Sequence, residues 1–472
     1  MSSRRAVCWH DGALDHPPGV DSPMNAARCV RIGAGAGFSG DRIEPAVALA
    51  EQGNLDFLVF ECLAERTMAL AQQERLKDPA RGFDPRLVAR MQALLMKCKS
   101  KHIRIVTNAG AANPHAAAEA VLTVARTSRL ADLKVAAVTG DDVLAHVRQY
   151  MSEYKQKYPA LEAIESRIIS ANAYLGADPI VAALDDGADV VVTGRVADPS
   201  LFLAPLVHHF RWSSEDWPLL GKGILVGHLL ECAGQLTGGY FADPPRSPVP
   251  NMAELGFPIA EVGHDGTVTF SKVIGSGGLL NVATCTEQLL YEVHDPARYV
   301  TPDVVADFSG VRFEQTGEDQ VRARGASGSS RPDHLKVVVA YRDGYIGEGQ
   351  LSYAGPNAGA RARLAAQIMR ERLQGIGLGD DNLRCELIGV DSVARLPQVS
   401  AVSAPREVRL RVAARTADPL SAALIGDEVE ALYTNGPAAG GGAFKGVREV
   451  IGLLPISVPR HIVQPRVTFE MT

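Results

Sequence analysis

Apolar residues gather in a near-continuous run at 55–60 and in further short runs at 102–107, 133–139 and 189–193. Runs this short, bounded by polar turns, predict strands buried on both faces. Between them the pattern shifts to a helical period. Helices are predicted over 43–52, 85–99, 114–126, 143–158 and 178–186. Asp84 is placed to cap the second of these, with Pro85 at its first position. From residue 28 to about 209 the strand–helix alternation predicts an α/β fold, a parallel sheet flanked by helices. From 223 to 375 the chain becomes richer in strands. A helix is predicted at 225–236, strands at 267–274, 336–341 and 345–352, and a helix at 358–374. Residues 376–382 read as a linker. The tail, 383–472, reads as a small α+β domain with a strand at 408–415, a helix at 419–432 and a terminal strand at 463–470. Residues 1–27 are rich in Pro, Asp and Ser and read as a loose extension, which makes Met24 a second candidate start. The expected organisation is an extension over 1–27, a core over 28–375 and a C-terminal domain over 383–472.

Composition narrows the function classes. The 472 residues are 46% hydrophobic and 22% charged, with a net charge of -6, as expected of a globular protein with no nucleic-acid partner. Arg406, Arg409, Arg411 and Arg415 alternate with apolar residues, which predicts the exposed side of a strand rather than a basic patch. The seven cysteines are scattered without a Cys-x-x-Cys pair, so neither a disulfide framework nor a structural zinc site is expected. A reducing, cytoplasmic location follows. No apolar run reaches the roughly 18 residues of a membrane span, and the N-terminal residues lack the apolar region of a signal peptide. No membrane partner is expected. A homo-oligomer is expected only on the general frequency of symmetric assemblies.

The polar residues that follow the predicted strands carry the candidate chemistry, because ligands collect at the carboxyl edge of a parallel sheet. After the first strand comes a glycine-rich run with Gly35, Gly37, Ser39, Gly40, Asp41 and Arg42. Glycines allow close backbone approach, and a helix N-terminus favours anions, so the run reads as a holder for a phosphate or carboxylate. Gly35-x-Gly37-x-x-Gly40 also matches the dinucleotide fingerprint, but Pro45 interrupts the helix that should follow, and the lead strand is short. After the second strand comes Glu61, flanked by Phe60 and Cys62. Burial there would raise its pKa and suit it to proton transfer. The plainer alternative is a charge paired with Arg42 or Arg66, and for Glu65 such pairing is favoured. Further along the same edge lie Asn108, His115, Asn172, Arg195 and Asp198. His115 opens a helix in a polar turn, and its plainer alternative is an exposed first-turn residue. His228 and Glu231 share a helix face three residues apart, where ordinary pairing is favoured over a ligand role. No metal site is expected, and the sequence leaves any cofactor undetermined.

Several blocks together resemble one known family. They are Arg31-Ile32-Gly33-x-Gly35-x-Gly37-x-Ser39-Gly40-Asp41-Arg42, then Asp56-Phe57-Leu58-x-Phe60-Glu61-Cys62-Leu63-Ala64-Glu65, and Thr107-Asn108-Ala109-Gly110-Ala111-Ala112-Asn113-Pro114. Asn172-Ala173-Tyr174-Leu175-Gly176-Ala177, Val192-Thr193-Gly194-Arg195-Val196-Ala197-Asp198 and Gly238-Gly239-Tyr240-Phe241-Ala242-Asp243-Pro244 continue the likeness. They are similar to the acyclic terpene utilisation protein A family over roughly residues 28–375, and the tail resembles the small C-terminal domain of many members. The resemblance implies a role in branched-acid catabolism beside acyl-CoA carboxylases and dehydrogenases, as in citronellol and geraniol breakdown. It supplies no catalytic residue. The leading expectation is an enzyme acting on an acyl-CoA or related carboxylic acid by hydratase, lyase or isomerase chemistry. In it, Glu61 or His115 moves the proton, and Asn108, Asn172 and Arg195 orient the substrate or stabilise an enolate-like oxygen. The alternatives are a non-catalytic partner of an acyl-CoA carboxylase complex and an NAD-dependent oxidoreductase.

Overall fold

The structure, a computed structural model, describes residues 29–378, 382–393 and 405–472. The expected extension over 1–27 and residues 379–381 of the expected linker lie outside the described residues. The chain divides into two compact units. One comprises Met1–Leu161, Ser170–Val339 and Leu454–Thr472, and the other Glu162–Ile169 and Ala340–Leu453.

The first unit carries strands β1 (Cys29–Ala36), β2 (Phe57–Phe60), β3 (Arg104–Thr107), β4 (Lys134–Thr139), β6 (Val190–Thr193), β7 (Pro258–Gly263) and β8 (Val268–Lys272), together with β5 (Ile168–Ala173) from Ser170 onward. The parallel centre runs β1-β2-β3-β6-β4. Every residue of β2 and β6 is buried, as their unbroken apolar sequences require. Each large side chain in these strands contributes about 2 kcal/mol on burial. Helices α1 (Glu44–Gln52), α2 (Glu65–Lys77), α3 (Leu87–Ser100) and α4 (Pro114–Thr127) connect the first strands. Asn113 caps α4 through its side chain, which accepts from Ala116 N.

The sheet does not stop at its parallel centre. β7 pairs antiparallel with β1, and β8 and the hairpin strands Arg312–Gly317 and Gln320–Arg324 extend it further. On the opposite side the terminal strand Arg466–Met471 pairs antiparallel with β4 from Arg466↔Thr139 to Met471↔Lys134. The result is a ten-stranded mixed sheet.

The second unit carries the strand order Leu383–Ile388, Glu407–Thr416, His334–Ala354, Gly440–Pro459, the last two strands running past its bounds. Helices Ala358–Gly375 and Pro419–Asn435 bury Ala362, Met369, Ile425 and Val429 against Leu351, Leu410 and Val412. On the strand's polar side, Arg411 bonds Glu348 and Glu386 at 2.9 Å each, which accounts for the arginine alternation.

The helix expected over 225–236 is instead Trp217–Leu230, followed by a 3-10 turn at Ala233–Gln235, and two further predictions differ in continuity. The helix expected over 143–158 is two helices, Leu144–Gln149 and Met151–Lys157. Tyr150, at φ -108° and ψ 27°, breaks the helical path between them. The strands expected at 336–341 and 345–352 are one strand, His334–Ala354. Gly344 takes φ 81° inside it, a conformation open to glycine, and antiparallel pairing runs without a break from Tyr345↔Thr416 to Ala354↔Glu407 just beyond.

Candidate functional site

The parallel strands end at a common edge, and the side chains beyond them meet there. Glu61 follows β2 and is 7% exposed. Its Oε1 accepts from Asn108 Nδ2 at 2.9 Å and from Leu63 N at 2.7 Å. Asn108, just past β3, accepts in turn from Cys62 N at 2.7 Å, so both halves of its amide are used to hold the Glu61 turn. Neither Arg42 nor Arg66 is the partner of Glu61. Burial pushes the Glu61 carboxyl up to about 8, and the negative charge of Asp198 adds to the effect. The nearby Arg195 and the bonds from Asn108 and Leu63 oppose it without prevailing.

Arg195 and Asp198 follow β6. The Arg195 guanidinium is buried, donates to Leu63 O, Asp198 Oδ1 and Val196 O, and lies 4.4 Å above the Tyr174 ring. This fixes a cation between the ends of β2 and β6, stacked on an aromatic face. Asp198 is half-buried, and burial raises its pKa against the pull of Arg195. Asp141, past β4, accepts from Arg195 N at 3.1 Å and Asn172 Nδ2 at 2.9 Å. Burial lifts its carboxyl to about 6. Asn172 reaches this edge because the end of β5 docks through Ala173 N to Asp141 O at 2.7 Å. Its Oδ1 is buried and has no hydrogen-bond partner.

Glu65 takes the pairing role expected of it, although with a lysine. Its Oε1 accepts from Lys336 Nζ at 2.6 Å and from the Tyr174 hydroxyl at 2.9 Å. Burial works against its charge, but these partners win and its pKa is lowered.

The glycine run is occupied by its own structure. Gly35 lies inside β1, and a Cβ there would meet the Phe60 ring at 2.4 Å. A Cβ on Gly37 would lie 2.4 Å from the carbonyl carbon of Cys232. A Cβ on Gly40 would meet the Phe38 ring at 2.4 Å. Gly37 N donates to Asp41 Oδ2 at 2.8 Å, and burial raises the Asp41 pKa against that bond. The carbonyl of Ser39 accepts from Arg90 Nη2 at 2.6 Å, and that of Gly40 from Arg86 at 2.8 Å. Arg42 is exposed and bonds Ala253 O. α1 begins only at Glu44, which places a carboxylate in its first turn. The direct passage from glycine to helix that a pyrophosphate uses is therefore missing.

His115 is exposed on α4, with Nδ1 3.4 Å from Thr468 Oγ1, and it makes no bond to the Glu61 group. Three residues matter here that the strand-end pattern did not single out. Arg90 is 1% exposed and ties Asp84 Oδ2 at 2.9 Å and Cys62 Sγ at 3.3 Å to the glycine-run carbonyls. Lys336 comes from a distant strand. Glu231 is 8% exposed and meets His228 Nδ1 at 3.0 Å, while its Oε2 has no partner. Burial and the charge of Asp198 push it up to about 7, with His228 pulling the other way. The His228–Glu231 spacing was the visible signal for this last residue, and its pairing is as expected.

This arrangement can hold a proton on a buried carboxyl near neutrality, beside a fixed guanidinium and an aromatic face. Among the described residues no three His, Cys, Asp or Glu side chains group as a metal site would need. Also among them, no helix is long and apolar enough to cross a membrane.

Searches of curated proteins and of solved structures gave no match. The family profile described as acyclic terpene utilisation family protein AtuA matches residues 30–469, nearly the whole chain. It spans every residue of the site, from the glycine run to Lys336, and the chain belongs to the acyclic terpene utilisation AtuA family.

Proposed function

We propose that the protein is a cytoplasmic enzyme of branched or terpenoid acid catabolism. In this reading it acts on an acyl-CoA or related carboxylic acid by proton transfer, within a hydratase, lyase or isomerase reaction. Membership of a family described by acyclic terpene utilisation supports the catabolic role. The observation that carries the chemistry is Glu61, a buried strand-end carboxyl raised to about 8. A group so tuned exchanges its proton at working pH, as an acid–base catalyst needs. Asn108 and Leu63 N orient Glu61, and Arg195 supplies positive charge toward an enolate-like oxygen. Asn172 offers an unpartnered acceptor at the same edge. An acyl-CoA enzyme is the partner expected in such a pathway.

The test is incubation of the protein with branched acyl-CoA thioesters and free acids in deuterated water. Deuterium gained by the substrate is read by mass spectrometry. Glu61→Gln keeps the acceptor for Asn108 and Leu63, so the fold is retained, and exchange falls by about 10²–10⁴. Unchanged exchange in that variant removes Glu61 from the reaction. Absence of exchange by the native chain, together with co-purification with a carboxylase, turns the reading to a non-catalytic partner.

A further inference from the structure

Glu231 stands at the end of the helix Trp217–Leu230, and two close approaches tie that end to the edge where Glu61 lies. Gly227 is one turn before it, and a Cβ there would lie 2.4 Å from the carbonyl oxygen of Pro199, the residue after Asp198. Glu231 N donates to Gly227 O at 2.8 Å, which fixes its place on the helix. On the other side the Cys232 backbone rests on Gly37, and the adjoining Ala36 carbonyl accepts from Glu61 N at 3.2 Å. Glu231 is therefore held between the turn that carries Asp198 and the end of β1 to which the Glu61 backbone is bonded. Asp198 is half-buried, so this edge is open to solvent.

The hydrogen bonds place the protons of the His228–Glu231 pair. His228 Nε2 lies 3.1 Å from Leu289 O, which only accepts, so Nε2 carries a hydrogen. The 3.0 Å contact of Nδ1 with Glu231 Oε1 then needs one proton between the two atoms. On nitrogen or on Oε1, that proton leaves Oε2 bare. The ring is clamped, stacked on Phe308 at 5.7 Å and set against Tyr299 at 5.2 Å. Oε2 is itself buried without a hydrogen-bond partner. A pair kept for structure alone satisfies both carboxylate oxygens, since a buried acceptor left without a donor is costly. A bare carboxylate oxygen is a base, and Glu61, protonated at neutral pH, is an acid. Moving a proton along one carbon chain needs a single carboxyl, which takes the proton and returns it. Two carboxyls in opposite proton states suit an addition across a double bond, where one atom gains a proton from the protein and another loses one to it.

We propose that Glu231 is a second catalytic residue and that the reaction is the addition of water to a 2-enoyl thioester. Glu231 Oε2 takes a proton from water as the water oxygen bonds to C3. The C2–C3 π pair takes the Glu61 proton at C2, and a 3-hydroxyacyl thioester results. Glu61 loses one proton and Glu231 gains one, so the protein's count is unchanged, and exchange with solvent resets the two groups. His228 is a positioning residue that keeps Oε1 engaged. The proposal rests on the Glu61 reading for the carbon end.

The test uses the full chain at neutral pH, with 4-methylpent-2-enoyl-CoA in oxygen-18 water and 4-methylpentanoyl-CoA in deuterated water, both read by mass spectrometry. The native chain should yield the labelled 3-hydroxyacyl thioester. In Glu231→Gln the side-chain amide donates to Nδ1 and its oxygen takes the place of Oε2, so the pair is kept while the base is lost. Label uptake should fall by about 10²–10⁴, and deuterium exchange at C2 of the saturated thioester, which adds no water, should fall far less. Glu61→Gln should lose both. A native chain that adds no water overturns the proposal, and if it still exchanges deuterium the Glu61 reading stands. Equal losses of the two reactions in Glu231→Gln, or undiminished label uptake, also overturn the proposal. Label uptake that needs Glu231, with exchange unaffected by Glu61→Gln, keeps Glu231 as the base and removes the Glu61 reading.

Discussion

Glu61 holds its proton because water is excluded from it and Asp198 lies close by, and this has a consequence for stability. Below the ordinary range of a glutamate carboxyl, near 4.5, folded and unfolded chains both carry the proton. Between 4.5 and about 8 the unfolded chain has lost it and the folded chain retains it. The folded state binds more protons there, so stability falls as pH rises through that window and levels off above it. Glu61→Gln abolishes this dependence. The variant should therefore gain on the native chain between pH 5 and pH 8 by on the order of a few kcal/mol. Urea denaturation at the two pH values checks this, and a constant difference between the proteins would sink it. Glu61 was legible in the sequence because an acid at the end of an apolar strand is placed to be buried. Arg90 was not. Its partners Asp84, Cys62 and Ser39 come from separate elements, and in sequence it is one polar position on a helix face.

At the scale of the element, the loop between β1 and α1 shows a glycine pattern doing two things at once. The pattern promised close backbone approach, and the structure uses it where the Cβ positions of Gly35, Gly37 and Gly40 meet neighbouring protein. Gly37 rests on the Cys232 backbone, which brings the end of β1 against the residue that follows Glu231. Gly37→Ala should cost about 1–3 kcal/mol, since backbone atoms cannot swing aside as side chains do. Gly441→Ala, where nothing lies within 4 Å of the added Cβ, should change stability by less than about 0.5 kcal/mol. Thermal unfolding of the two variants makes the comparison, and equal tolerance would show that the loop yields. Helix and strand identities were readable because period and burial agree in them. Their continuity was less so. Tyr150 breaks one predicted helix through backbone angles, and Gly344, at φ 81°, lies inside one long strand where two were expected.

At the scale of the molecule, the terminal strand is the instructive case. Its β pattern is clear in the sequence, and it lies along β4, more than 300 residues earlier, with Phe469 opposite Ala136 and Val467 opposite Val138. Deleting residues 463–472 uncovers the edge of β4. Hydrogen exchange at Val135, Ala137 and Thr139, whose backbone groups face the terminal strand, should then lose protection, and the folded chain should become more prone to association. Retained protection would mean that β4 needs no partner on that side. The same distance between cause and effect governs the site. Local pattern was enough to place Glu61, Asn108, Asn172, Arg195 and Asp198 at one sheet edge, because side-chain period and turn chemistry act over a few neighbours. The state of Glu61, the stacking of Arg195 on Tyr174, the capture of Glu65 by Lys336 and the action of the Asp198 charge on Glu231 came from the folded chain. Dielectric, charge proximity and register are properties of what surrounds a residue in space, and the partners concerned arrive from strands that no local pattern connects.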